Sequence, residues 1–119
     1  MLLLQQNNMC ISIDLLNYYI NLGFKKFCVG NIKQANIIRN ILPDSEIIGS
    51  ITMKIMPNDL LKEKYKVFDG FVLWFPYNRK LSIIKQLPKK YKYILLVNCD
   101  CNINCNGTHH WLASSKKEE

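Results

Sequence analysis

The chain has 119 residues, 49% of them hydrophobic, and a formal net charge of +7. This length accommodates one domain with one core, and the apolar content excludes a chain that stays disordered. Scattered lysines carry most of the charge and the only arginines are Arg39 and Arg79, a pattern that favours a solvated surface over a nucleic-acid interface.

The start of the chain, Met1-Leu2-Leu3-Leu4, lacks the basic region and the longer apolar run of a signal peptide. No stretch approaches the roughly 20 apolar residues of a membrane span. We therefore expect a cytoplasmic protein with reduced thiols. Its five cysteines are then expected to be ligands, catalytic groups or buried apolar residues before they are disulfides.

Two helices and two strands are predicted in the first half of the chain. The first helix begins after the capping residue Ser12 and ends at Gly23, and a strand follows over 24–29. A second helix begins after Asn31, and a second β-branched strand covers 46–53.

The second half continues the alternation. A short, weak helix begins at Pro57, and a nearly continuous apolar strand follows over 67–75. Asn78 is predicted to cap the next helix, and the fourth strand is predicted over 91–97. We expect a single α/β domain over 1–113 and a polar tail over 114–119.

Apolar strands that alternate with amphipathic helices are typical of a parallel sheet covered by helices. The predicted strands end near Cys28, Thr52, Trp74 and Asn98, at intervals of 24, 22 and 24 residues. This is the spacing of repeated βα units, whose right-handed crossovers place all carboxyl ends at one edge. A closed barrel needs eight strands. Four strands therefore predict half of a TIM-barrel-like domain that lacks its other half, or a small open sheet. The exposed edges of an open sheet are expected to require a partner or self-association.

The strongest functional signal follows the last predicted strand. Cys99, Cys101 and Cys105 have the spacing C-x-C-x3-C, and His109 and His110 come soon after them. Thiolates this close together on a loop can converge on one metal ion, such as zinc, or on one iron–sulfur cluster.

A fourth ligand is expected from elsewhere in the chain. Cys28 ends another strand at the same predicted edge, whereas His109 and His110 are nearer in sequence. Two alternatives remain: incidental cysteines, with Cys28 a small core residue, or a thiol nucleophile, Cys99 or Cys105, beside a histidine. Cys10 has the context of a small core residue.

The end of the third strand supplies candidate substrate-binding residues. Trp74 can line a pocket there, and Arg79 at a helix start can bind an anionic substrate beside Asn78. The alternative is that Trp74 belongs to the core and that Asn78 only caps the helix.

Parts of the sequence resemble a known family. The segments are LGFKKFCVGN, LPDSEIIGSITMKI, FDGFVLWFPYNRKLSIIKQL and KYILLVNCDCNINCNGTHH. In this order they are similar to the later barrel strands of the collagenase-like peptidase family, family thirty-two of the unknown-type peptidases. Asn78 and Arg79 match a strand-end element of that family. Leu95-Leu96-Val97-Asn98 with Cys101 and Cys105 match its most specific element.

The resemblance implies a TIM-barrel-like fold and a 4Fe–4S cluster, with Cys101 and Cys105 among its ligands. It further implies oxygen-independent hydroxylation, in ubiquinone synthesis or on transfer or ribosomal RNA, or else peptidase activity. In this chain Cys99 replaces an acidic position of the family, and Asn106-Gly107-Thr108 stands where Pro-x-Arg is common. We therefore expect a fragment or degenerate member of the family. The alternative is a non-enzymatic α/β module for binding or assembly.

Overall fold

The structure is a computed structural model, and it describes residues 1–4 and 10–96. Within these ranges five strands and three α-helices follow one another along the chain. They are β1 (Leu2–Leu4), α1 (Ile13–Asn21), β2 (Lys26–Val29), α2 (Ile32–Ile41), β3 (Glu46–Gly49), β4 (Gly70–Val72), α3 (Leu81–Gln86) and β5 (Lys92–Ile94).

All five strands pair in parallel, in the order β1-β2-β3-β4-β5. One row of paired residues crosses the whole sheet, from Leu4 through Val29, Gly49 and Phe71 to Tyr93. The prediction of an α/β fold with a parallel sheet is confirmed, and among the described residues the sheet is open. The predicted number of strands was wrong, because the three leucines of β1 are too few to show a periodic pattern.

The first two helices begin and end where local chemistry predicts. The Ser12 hydroxyl accepts a hydrogen bond from the Leu15 amide at 3.2 Å, and the Asn31 side chain accepts one from the Gln34 amide at 2.7 Å. Gly23 has a φ of +98°, the left-handed conformation that commonly ends a helix. Both predicted caps are therefore confirmed.

The connection from β3 to β4 differs from its prediction. The strand predicted over 46–53 ends at Gly49, because the Ser50 hydroxyl accepts a hydrogen bond from the Thr52 amide and starts a turn. The weak helix predicted from Pro57 is a pair of short 3-10 turns. The 3-10 turns of this connection are Ile51–Met53, Pro57–Leu61 and Glu63–Tyr65.

The helices and 3-10 turns pack against one face of the sheet, which we call the helix face. Phe27, Val29, Ile47 and Phe71 project from it into the core. Residues from every connection complete this core, namely Leu16, Ala35, Ile38, Leu60 and Leu87. One shared core on one face is what right-handed crossovers produce when strand order follows chain order.

Alternate residues of the strands lie on the opposite face, which we call the second face. It is formed by Leu3, Cys28, Ile48, Val72 and Ile94, and none of them belongs to the core cluster of the helix face. No helix in the described part of the chain is long and apolar enough to cross a membrane.

The amino ends of the central strands are joined by a clamp around Arg39. Its guanidinium donates four hydrogen bonds of 2.8–2.9 Å, and one of them reaches the Asp69 carboxylate. The same carboxylate oxygen accepts a hydrogen bond from the Ile47 amide at 2.8 Å. The other acceptors of the guanidinium are the carbonyls of Pro43, Ser45 and Val67.

Candidate functional site

The carboxyl edge of the sheet collects the polar and aromatic residues that follow β3, β4 and β5. Parallel strands bring these segments to one side of the molecule, where open α/β sheets bind their ligands. The segment after β3 contributes Lys54, and the segment after β4 contributes Trp74, Tyr77, Asn78 and Arg79.

Trp74 is buried beside Phe75, with the two ring centroids 4.4 Å apart. The Lys54 ammonium lies 5.2 Å from the centroid of the indole ring, within the range of a cation–π interaction. Through this interaction Trp74 contacts Lys54, which belongs to the segment that follows β3. Its position at the edge matches the prediction, and its role in substrate binding stays a prediction.

Lys54 has the only positive φ among the described residues other than glycine, at +49°. A left-handed lysine costs about 1–2 kcal/mol, and such strain clusters at functional sites. The backbone amide of Lys54 donates to the Ile51 carbonyl at 3.0 Å, which closes the turn after β3. This turn places the side chain over Trp74.

Asn78 joins the end of β4 to the chain that leaves β5. Its side-chain amide donates a hydrogen bond to the Leu96 carbonyl at 2.8 Å, and its side-chain oxygen is buried without a hydrogen-bond partner among the described residues. The prediction that Asn78 caps a helix was wrong, because Asn78 follows the 3-10 turn Phe75–Tyr77 and α3 begins at Leu81. Cys99 is three residues beyond Leu96, a reach of at most about 11 Å of extended chain.

Positive charge accumulates at this edge. Arg79 is exposed and has no ion pair with any residue in the described ranges. The Lys80 ammonium lies 5.4 Å from the ring centroid of Tyr77. By contrast, the carboxylates of Glu46 and Asp69 are paired at the amino edge. The electrostatics of the carboxyl edge therefore favour an anionic ligand.

Gln34 also lies at the carboxyl edge, at the start of α2, although the sequence did not single it out. Its side-chain oxygen accepts a hydrogen bond from the Ile11 amide at 2.9 Å, while its side-chain nitrogen is buried and has no partner within residues 1–4 and 10–96. Capping by Asn31 predicted the helix start but not the burial of this side chain. Lys54 was missed as well, since nothing in the sequence signals a left-handed lysine.

The predicted metal ligands Cys99, Cys101 and Cys105 lie outside the described residues, as do both histidines. Within residues 1–4 and 10–96, no group of three or more side chains is placed to hold a metal ion. The cysteine cluster therefore stays a prediction.

Cys28, the proposed fourth ligand, lies one residue inside the end of β2 and is buried. It pairs in register with Leu3 and Ile48 on the second face. Three strand spacings, about 14 Å, separate β2 from β5. For Cys28 to share a metal with Cys101 and Cys105, the cysteine loop has to cross β3 and β4. The thiol of Cys10 is half-buried and lies 3.7 Å from the side-chain oxygen of Asn31.

No protein-family model matches the chain, and no curated protein or solved structure matches it. Its class is therefore defined by its own fold, an open, all-parallel α/β sheet with sequential strand order. The resemblance to collagenase-like peptidases stays a prediction.

Proposed function

We propose that the chain is a redox-type α/β module that binds an iron–sulfur cluster, or alternatively zinc, through Cys99, Cys101 and Cys105. The observation that carries this proposal is the hydrogen bond between Asn78 and Leu96 at 2.8 Å. It anchors the chain three residues before Cys99 against the segment that bears Trp74 and Arg79. This anchor supports the proposal that the predicted ligands and the predicted substrate-binding residues share one edge.

The surroundings suit thiolate ligands. Cysteine binds metal as the thiolate, and nearby positive charges favour that form. Lys54, Arg79 and Lys80 provide such charges at the carboxyl edge. The remaining ligand is Cys28 or one of the two histidines, and the 14 Å separation estimated above makes His109 or His110 the easier choice.

Different residues of the carboxyl edge would then bind different parts of the substrate. Arg79 and Lys54 would hold its anionic group, and Trp74 would supply an apolar wall. Asn78 would fix the spacing between substrate and metal through its bond to Leu96. When bound, an iron–sulfur cluster supplies one-electron chemistry, as hydroxylation of the kind implied by the family resemblance requires.

Two further parts of the proposal follow from the cysteines. A reduced cluster of this kind is suited to the cytoplasm, where thiols are not oxidised to disulfides. Peptidase activity remains the weaker alternative. Both histidines are at positions 109 and 110, so residues 1–4 and 10–96 contain no pair of a nucleophile and a histidine base.

The test is anaerobic purification of the full chain, followed by assays for iron, zinc and acid-labile sulfide. The proposal predicts bound metal in the wild type and loss of most of it in Cys101→Ser and in Cys105→Ser. Cys10→Ser is the matched control, since Cys10 contacts Asn31 after β2, three strands away from β5, and it should keep the metal. A folded wild-type chain without metal would overturn the proposal, as would serine variants that bind metal normally.

A further inference from the structure

The exposed apolar side chains concentrate at the two ends of the sheet. Because strand order follows chain order, the first and the last parts of the described chain form these ends. Large exposed apolar residues of β1 and the connection that follows it include Leu3 and Leu22, and those of α3, β5 and the segment after β5 include Leu81, Ile94 and Leu96. In the long stretch over 23–80, only Met56 and Leu61 are of this kind.

Each of the two edge strands carries one of these exposed apolar side chains. On the second face, Leu3 of β1 is 60% exposed and Ile94 of β5 is 37% exposed. Among the described residues, β1 pairs only with β2, and β5 pairs only with β4. Each edge strand therefore presents an unpaired backbone edge and an apolar side chain, a combination that invites pairing with another strand.

The two edges are complementary to each other. Both strands run in the direction of the whole sheet, so β1 of a second copy placed beside β5 forms a parallel pair like the four existing pairs. A two-fold axis along the axis of the resulting barrel, to which the strands are tilted, creates this contact twice and leaves no edge open. We infer that two copies of this chain pair β1 with β5 in this way and close a barrel with their second faces inside, where Cys28 and Ile48 are already buried in the single chain.

Charge on the second face constrains the contact further. The Lys92 ammonium lies 3.3 Å from the Glu46 carboxylate, which also pairs with Lys26. Gly70 of β4 pairs with Ile48 of β3 and with Lys92 of β5. Because Gly70 has no side chain, the side chain of Lys92 can pass over β4 and reach Glu46 on β3. Leu3 of the second copy would then lie on the same face as Lys92 and Ile94. A positive charge at position 3 would face Lys92 and weaken the dimer.

A second copy fits this surface better than an unrelated partner does. The occupant must offer a parallel strand edge and an apolar side chain to both ends of the sheet at once. The opposite ends of an identical chain supply both. This inference does not depend on a metal site.

The test is light scattering of the full chain over a range of concentrations under reducing conditions. We expect a dimer for the wild type. Leu3→Lys and Ile94→Glu should each raise the dimer dissociation constant at least about tenfold, since each change affects both copies of the contact. The double variant should recover a large part of the affinity, because the new charges are opposite.

Leu61→Lys is the matched control. Leu61 is 74% exposed in the 3-10 turn Pro57–Leu61, away from both edges, and this variant should stay dimeric. Circular dichroism confirms that each variant is folded. A monomeric wild type, growth beyond the dimer, single variants that stay dimeric, or a double variant without recovery would overturn the inference.

Discussion

The side-chain amide of Asn78 donates a hydrogen bond to the Leu96 carbonyl at 2.8 Å, across 18 residues of sequence. This bond connects the segment after β4 with the segment after β5. It explains why Asn78 follows a turn and does not cap α3. It also means that a change at Asn78 should alter the segment that leads into the cysteines.

Asn78→Ala removes this bond. We expect the free energy of unfolding to fall by about 1 kcal/mol and the bound metal per chain to decrease. Urea unfolding and metal analysis measure the two effects. Asn58→Ala, at an exposed position of the 3-10 turn Pro57–Leu61, is the control and should change neither. Unchanged metal content in Asn78→Ala would mean that the metal site does not depend on this edge.

Gly70 marks a close approach of β4 to β5. A Cβ atom at this position would lie 2.5 Å from the Lys92 carbonyl oxygen and 2.8 Å from the Lys92 Cβ. Gly70→Ala should therefore lower the free energy of unfolding by at least about 2 kcal/mol, because the strands have to separate. Urea unfolding measures the loss.

Gly23→Ala is the matched control for Gly70→Ala. Gly23 has open space around its missing side chain, and its φ of +98° is the only source of cost. We expect a loss of about 1 kcal/mol from backbone strain. If Gly23→Ala proved more damaging than Gly70→Ala, the contact between β4 and β5 would have to be looser than described.

Arg39→Lys tests the clamp at the amino edge. A lysine cannot reproduce the planar fork that reaches three carbonyls and the Asp69 carboxylate. We expect a loss of about 2 kcal/mol in the free energy of unfolding. Lys66→Ala removes the exposed ion pair with Glu63 and should cost far less, because solvent screens this pair. Equal losses in both variants would argue against the clamp.

Burial raises the pKa of Tyr93 to about 12, with a smaller contribution from Tyr91. The hydroxyl also donates a hydrogen bond to the Pro88 carbonyl at 2.6 Å. The folded state therefore holds this proton more tightly than the unfolded state, whose pKa is near 10.0. The resulting stabilisation is complete below about pH 10 and disappears as the pH rises through about 12.

Tyr93→Phe should remove this dependence. Its free energy of unfolding should be about 1 kcal/mol lower than that of the wild type at neutral pH. The difference should shrink above about pH 10, as the wild type loses its advantage. Urea unfolding across this range measures the effect, and Tyr18→Phe, at an exposed position of α1, should follow the wild type. A constant difference between Tyr93→Phe and the wild type would contradict the assignment.

The features that the sequence predicts well are those decided by neighbouring residues. Ser12 and Asn31 cap helices through amides three residues away, and such pairs can be recognised in a sequence. The parallel sheet was predictable for a similar reason, since apolar strands and amphipathic helices alternate. The three residues of β1 form a strand only because β2 lies beside them.

The candidate site depends on contacts that no local pattern shows. Asn78 has its partner 18 residues away, whereas its position just before a helical pattern suggested a helix cap. The left-handed backbone of Lys54 and its place over Trp74 follow from the packing of two loops. Cys28 looked like a residue of the carboxyl edge, but its register places it inside the sheet.

X-ray absorption spectroscopy of the anaerobically purified full chain, at the iron and zinc edges, tests the central claim most directly. We expect one of the two metals to be present with a shell of sulfur ligands at about 2.3 Å. This shell should contain at least two thiolates and should be lost in the double variant Cys101→Ser/Cys105→Ser. The absence of both metals, or a shell of nitrogen and oxygen alone, would contradict the account.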